Sequence, residues 1–191
     1  VFDEFKGQKF NLIYADPAWQ FSNKKTGGSM TSGAEHQYKS VMGIEDIKAM
    51  PVADIAADNC ILVMWWVNSM PSEALEVVKA WGFELKNMNG FVWNKLTKKF
   101  KPFFGMGFYT RAGSESALIA IKGKPQIASR SVRAVGSYPV REHSRKPDEF
   151  RKRCDNLAGN VNKIELFARE SSPGWSSWGN EVNKFSDKVA A

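Results

Sequence analysis

Apolar positions run almost unbroken from Phe10 to Ala15, and the run stops at Asp16-Pro17-Ala18-Trp19. A continuous apolar stretch of this length predicts a β-strand buried on both faces, as in the middle of a parallel sheet. Cys60–Val67 has the same character and ends in the pair Trp65-Trp66, whose rings must point to opposite faces. Phe83–Trp93, Ser116–Lys122 and Asn162–Ala168 read as further strands, the second followed by the turn Gly123-Lys124-Pro125. Between them lie helical patterns. Gly43–Met50 is one; in Pro71–Trp81, Ala74, Leu75, Val78 and Trp81 recur at helical spacing; in Pro147–Leu157, Phe150, Cys154 and Leu157 share a face. Alternating strands and helices predict an α/β fold, with one domain over residues 1–191. Residues 22–34 lack any period and read as a mobile lid, and residues 183–191 as a frayed polar tail.

The end of the first strand concentrates candidate chemistry. Ligands of open α/β sheets bind at the C-terminal strand edge, and this strand delivers a carboxylate, a rigid kink and a large aromatic ring there. Pro17 has no N–H and a fixed φ, so the carbonyls around it are free to point outward. Asp16, the Pro17 and Ala18 carbonyls and the Trp19 ring suit an amino group on a flat heteroaromatic ring, such as adenine N6. Such an amine is a poor nucleophile, because its lone pair is delocalised, and acceptors that fix its hydrogens favour attack on an electrophilic carbon. Trp19 would stack the base.

Charge adds a partner. The formal net charge is +7, compatible with a polyanion. Basic residues gather at Lys98, Lys99 and Lys101, at Arg130 and Arg133, and from Arg141 through Arg145, Lys146 and Arg151 to Arg153. The lysines interleave with Phe100, Phe103 and Phe104; they read as phosphate contacts, while the rings either stack bases or fill a hairpin core. Lys146 precedes a helix whose first turn holds Pro147, Asp148 and Glu149, where an anion would be held. Two cysteines imply no disulfide framework, and two histidines no metal site. The absence of a leader or spanning pattern sets the expected location as cytoplasmic, without a membrane.

The motifs in order are Asp16-Pro17-Ala18-Trp19, Leu62–Val67, Trp81-Gly82-Phe83, Val92–Lys95, Gly113-Ser114-Glu115, Ser144–Glu149, Lys163–Arg169, Trp175 and Gly179-Asn180. Together they resemble the MT-A70-like family of S-adenosylmethionine-dependent adenine N6-methyltransferases. Ala18 stands where that family usually has a second proline, and Glu181 where its animal RNA enzymes carry an amide. The resemblance implies a Rossmann-like, three-layer fold with a mixed, mostly parallel sheet, and the circularly permuted β-type order in which the amine motif precedes the cofactor half. It implies S-adenosylmethionine held by Ala15, Asp16, Lys146, Phe167, Arg169, Asn180 and Glu181. Substrate contacts would come from Tyr38, Trp66, Glu115, Lys98, Lys99, Lys101 and Arg141. The expected activity is methyl transfer to adenine N6 in DNA, with a homo- or hetero-dimer as the assembly in view. An RNA acceptor and a catalytically silent nucleic-acid-binding subunit are the rival readings.

Overall fold

The computed structural model describes residues 1–19, 42–142 and 145–185. The lid reading of 22–34 and the role expected of Tyr38 lie outside them. A short 3-10 turn at Asp3–Phe5 leads into β1 (Phe10–Ala15), followed by α1 (Ile44–Ala49), α2 (Val52–Ile55), β2 (Ala56–Trp66) and α3 (Pro71–Ala80). Then come β3 (Glu84–Leu96), β4 (Ser114–Lys122), β5 (Val135–Pro139), α4 (Asp148–Ala158), β6 (Lys163–Leu166) and β7 (Ser176–Trp178).

The strands form one sheet in the order β5-β3-β4-β2-β1-β6-β7. β4 is antiparallel to β2 and β3, and every other pairing is parallel. The mixed, mostly parallel sheet that the family resemblance implies is therefore present. Strand alternation builds its two faces. Ile13 and Ala15 of β1, with Leu62 and Met64 of β2, pack beneath α1, α2 and α3 through Ile47, Val52, Ile55, Ala74, Val77 and Val78. Leu12 and Tyr14, with Ile61, Val63 and Trp65, pack beneath α4 through Phe150, Cys154 and Ala158. Phe150 anchors that helix within an aromatic cage, its ring 5.2 Å from Trp65 and 5.6 Å from both Phe91 and Tyr138. Both cysteines are buried, and loss of solvation pushes the Cys60 thiol up to about 12, so both serve as core hydrophobes.

This wiring positions the site. β1 pairs with β2 on one side and with the late strand β6 on the other. The helices α1 and α2, which follow β1 in the chain, pack on one face of the sheet and α4, which precedes β6, on the other, so a switch point falls at the C-terminal end of β1. Several expected bounds change. β5 and β7 were not foreseen, because three to five residues carry no readable period. The strand expected to reach Ala168 stops at Leu166, because Phe167 takes a left-handed φ of 62° and turns the chain out of the ladder. At the expected frayed tail, Phe185 is instead buried beneath the Arg145 and Arg169 guanidinium groups; residues 186–191 lie outside the described residues.

Candidate active site

Asp16 leaves the C-terminal end of β1 on the α4 side of the sheet, the side set by Leu12 and Tyr14. Lys146 Nζ donates to both of its carboxylate oxygens at 2.9 Å. The same ammonium lies 3.3 Å from Glu115 Oε2 and over the Trp65 ring at 5.3 Å. Glu115 Oε1 accepts from Lys95, which stands at the end of β3 beside Glu115 at the start of β4. Arg169 Nη2 approaches Asp16 Oδ2 at 4.0 Å. The result is a line of alternating charge: Lys95, Glu115, Lys146, Asp16, Arg169.

Its electrostatics follow from that order. Burial opposes ionisation of Glu115, but Lys146 and Lys95 outweigh it and hold the carboxyl down to about 2. Burial likewise opposes charge on Lys146, but Asp16 and Glu115 outweigh it and hold the ammonium above its ordinary range. Lys146 is brought there by the start of α4. Arg141 donates to both oxygens of Asp148 at 2.8 Å and to the Lys146 carbonyl at 2.9 Å, tying the segment before the helix to its first turn.

A second ion-pair layer supports the first. Glu165 of β6 lies beside Tyr14 of β1 and is almost wholly buried. Arg151 of α4 donates to it from Nε at 2.8 Å. Desolvation pushes the Glu165 carboxyl up even with that partner. Arg145 donates to Glu170 at 2.7 Å, while its Nε is buried without a hydrogen-bond partner among the described residues. These residues line a cleft of about 380 Å³, counted with its open mouth, bounded also by Asp16, Lys146, Phe167, Arg169 and Phe185.

The structure brings together Asp16, Glu115, Lys146, Phe167 and Arg169 from the expected site. Other positions are corrected. Trp19 is only 4% exposed and its indole N–H donates to the Trp65 carbonyl at 2.9 Å, so its ring belongs to the core and has no open stacking face. The Pro17 carbonyl already accepts from the Trp19 N–H at 2.9 Å and keeps one lone pair. Trp66 donates to the Met88 carbonyl and packs on the other side of the sheet; the residue beneath Lys146 is Trp65, because alternation puts it on the face of Tyr14 and Asp16. Ala15 is fully buried and can offer only backbone. Arg141 is held by Asp148 rather than presented to a phosphate. Asn180 is exposed, and Glu181 pairs with Lys184 at 2.8 Å; neither lines the cleft. Lys98, Lys99 and Lys101 are exposed on the connection between β3 and β4, where Phe103 is half-buried but Phe100 and Phe104 are open to solvent.

Trp65 and Glu170 carry no site signal in the sequence; Arg145 stands there only as one of a basic cluster, and Lys95, at the end of its strand, reads as a hairpin flank that could also reach the pocket rim. Lys95 and Glu115 could have been paired from a hairpin register across β3 and β4; Glu170 carried no such signal. Among the described residues, no group of three His, Cys, Asp or Glu could hold a metal ion, and no helix is long and apolar enough to cross a membrane.

The sheet, its switch point and the carboxylate at the end of β1 define an α/β methyltransferase-like fold. The MT-A70 family profile matches residues 10–181, and the chain belongs to that family. It is 30% identical to the type II methyltransferase M.MunI of Mycoplasma sp., over 95% of this chain and 82% of that protein. It is 32% identical to human N(6)-adenine-specific methyltransferase METTL4, over 92% of this chain but 38% of that protein. It is 25% identical to the zebrafish (Danio rerio) N(6)-adenosine-methyltransferase subunit METTL3, over 92% of this chain and 28% of that protein.

Proposed function

We propose that this chain transfers the methyl group of S-adenosylmethionine to the N6 amine of adenine in DNA. The observation that carries the reading is the Asp16 carboxylate at the C-terminal end of β1, held by Lys146 beside a cleft lined with cations. Relatives named for adenine N6 support the base and the atom. The match to M.MunI, a type II methyltransferase, spans 82% of that protein, and that likeness favours DNA.

The cleft suits the cofactor on the chemistry of its donors. Arg145, Lys146 and Arg169 supply positive charge for a carboxylate, and the buried Arg145 Nε is a donor still without an acceptor among the described residues. Phe167 offers an apolar ring, and Glu170 offers acceptors for an ammonium or hydroxyls. When bound there, S-adenosylmethionine supplies the electrophilic methyl group.

The chain's own residues orient the amine. An ionised carboxylate has about four acceptor sites, so Asp16 can keep Lys146 and still accept a hydrogen from N6. The remaining lone pair of the Pro17 carbonyl would take the other hydrogen, so both N6 hydrogens would be held and the nitrogen lone pair left uncommitted. An N6 that has gained a methyl group would be cationic until a proton leaves it; the Asp16 carboxylate would offset that charge and, already accepting one N6 hydrogen, would be the group that takes the proton. Lys146 and Glu115 act as positioning residues that hold the Asp16 carboxylate in one orientation.

Labelled methyl transfer to matched single-stranded DNA, duplex DNA and RNA tests this, with Asp16→Asn and Asp16→Ala alongside. We expect N6-methyladenine in DNA, reduced about a hundred- to a thousandfold in both variants, with cofactor binding largely retained. Greater transfer to RNA would replace the acceptor and keep the chemistry. No transfer and no saturable S-adenosylmethionine binding would leave a silent nucleic-acid-binding subunit.

A further inference from the structure

We infer that the hairpin connecting β3 to β4 is a stacking platform for unpaired bases flanking the target, so the acceptor this chain prefers is single-stranded. The inference rests on the reading of a nucleic-acid acceptor and adds its strandedness.

The hairpin rises directly from the site. Lys95 and Glu115, which continue the charge line from Asp16 and Lys146, are its two foot residues. Between them, Phe100, Phe104 and Phe108 are 72%, 75% and 64% exposed, and Met106 and Tyr109 are also open to water. Scattered apolar residues at a surface are ordinary, but three phenylalanines and a tyrosine within ten residues are not. Their exposure does not come from a disordered loop. The Thr97 N–H donates to the Lys101 carbonyl at 2.8 Å, the Phe103 N–H to the Lys95 carbonyl at 3.1 Å and the Gly105 N–H to the Ala112 carbonyl at 2.7 Å. Gly107 is packed so closely that a Cβ there would meet the Thr110 carbonyl oxygen at 2.5 Å.

Backbone strain points the rings outward. Phe100 and Tyr109 have φ of 58° and 61°, a region that side chains other than glycine rarely adopt. At Tyr109 the Thr110 N–H reaches back to the Phe108 carbonyl at 2.7 Å, a three-residue turn with a positive central φ, which is the strained form. A glycine would relieve both positions, yet aromatic rings stand there. Strain retained at a displayed side chain is a mark of use.

Charge selects the occupant. Residues 97–112 contain Lys98, Lys99, Lys101 and Arg111 and no acid. The three lysines have no ion-pair partner among the described residues, and Arg111 lies over the Phe104 ring at 4.9 Å. Protein interfaces are depleted in lysine at their centre, whereas single-strand sites combine cations that track phosphates with rings that take successive bases. Bases inside a duplex have no free faces to offer these rings, so the surface discriminates for the unpaired strand.

The test is anisotropy of a fluorescein-labelled oligothymidylate and of a G·C duplex of equal length, neither containing adenine, with the full chain. The variants are Phe100→Ala and Tyr109→Gly, the latter relieving the strained turn so that loss of folding does not mask the result. Each should weaken oligothymidylate binding about fivefold or more and change duplex binding less than twofold. Unchanged single-strand binding in both variants would overturn the inference. So would an equal loss on the duplex, or a change in oligomeric state by sedimentation, which would make the hairpin a protein interface. Methyl transfer to an adenine-containing strand is run in parallel. Transfer without an effect of the hairpin variants sinks this inference alone, and absence of transfer from the wild type to every acceptor sinks the proposed reaction.

Discussion

Lys146 is shared between two carboxylates, and that one placement governs the electrostatics of the site. Its ammonium bonds both oxygens of Asp16 and approaches Glu115, whose other oxygen is taken by Lys95. The Glu115 carboxyl is held at about 2 in the fold against an ordinary 4.5. Protonation therefore favours the unfolded chain. The stabilisation is complete above about pH 4.5 and is lost as pH falls toward 2, with an upper bound of about 3 kcal/mol. Urea unfolding across that interval should show Glu115→Gln losing this part of the slope, while the wild type keeps it; parallel curves would mean Glu115 is not coupled to folding through its charge. Asp16, Glu115 and Lys146 are each legible in the sequence, because each sits in a short motif. Their mutual bonds are not, since Asp16 and Lys146 are 130 residues apart.

At the scale of elements, the strands that read clearly were those with long apolar runs, and β1 ends where the run ends. β7 carries no signal in the sequence, because Ser176-Ser177-Trp178 has neither length nor period; its pairing is with the edge of β6. The turn joining them to the site depends on close backbone contact. A Cβ at Gly179 would meet the Ala168 carbonyl oxygen at 2.5 Å and its nitrogen at 2.7 Å, and backbone atoms cannot swing aside as a side chain can. Gly179→Ala should cost about 1–3 kcal/mol and, by displacing Phe167 and Arg169 at the cleft, weaken cofactor binding as well. Thermal unfolding and calorimetric titration check the two halves; an unperturbed melting temperature would show that the β6–β7 connection yields more freely than its contacts imply.

For the molecule as a whole, a net charge of +7 bears on acceptor binding through salt. Phosphate contacts release counterions, so binding falls linearly in log–log form with a slope set by their number. If Lys98, Lys99 and Lys101 each contact a phosphate, their combined replacement by alanine lowers that slope by about 2 for a single strand. An unchanged slope with weaker binding would assign them a local, non-electrostatic part. Arg141, by contrast, should leave the slope alone, because its charge is committed to Asp148. Composition alone cannot make this distinction, since both are basic residues within basic clusters.

By itself, the sequence determined the alternation of strands and helices, the buried run of β1 and the arrest of that run at an acid and a proline, because these follow from local period and local backbone constraint. It also carried enough ordered motifs to establish resemblance to the MT-A70 family. Only the tertiary structure decided which face each residue takes and what it meets there. It turned Trp19 into the core, set Trp65 rather than Trp66 beneath Lys146, spent Arg141 on the start of α4 and left Phe100 and Phe104 in water. The reason is physical: a side chain's partners come from register across the sheet and from helices distant in sequence, and a single chain read in order contains neither until the sheet has closed.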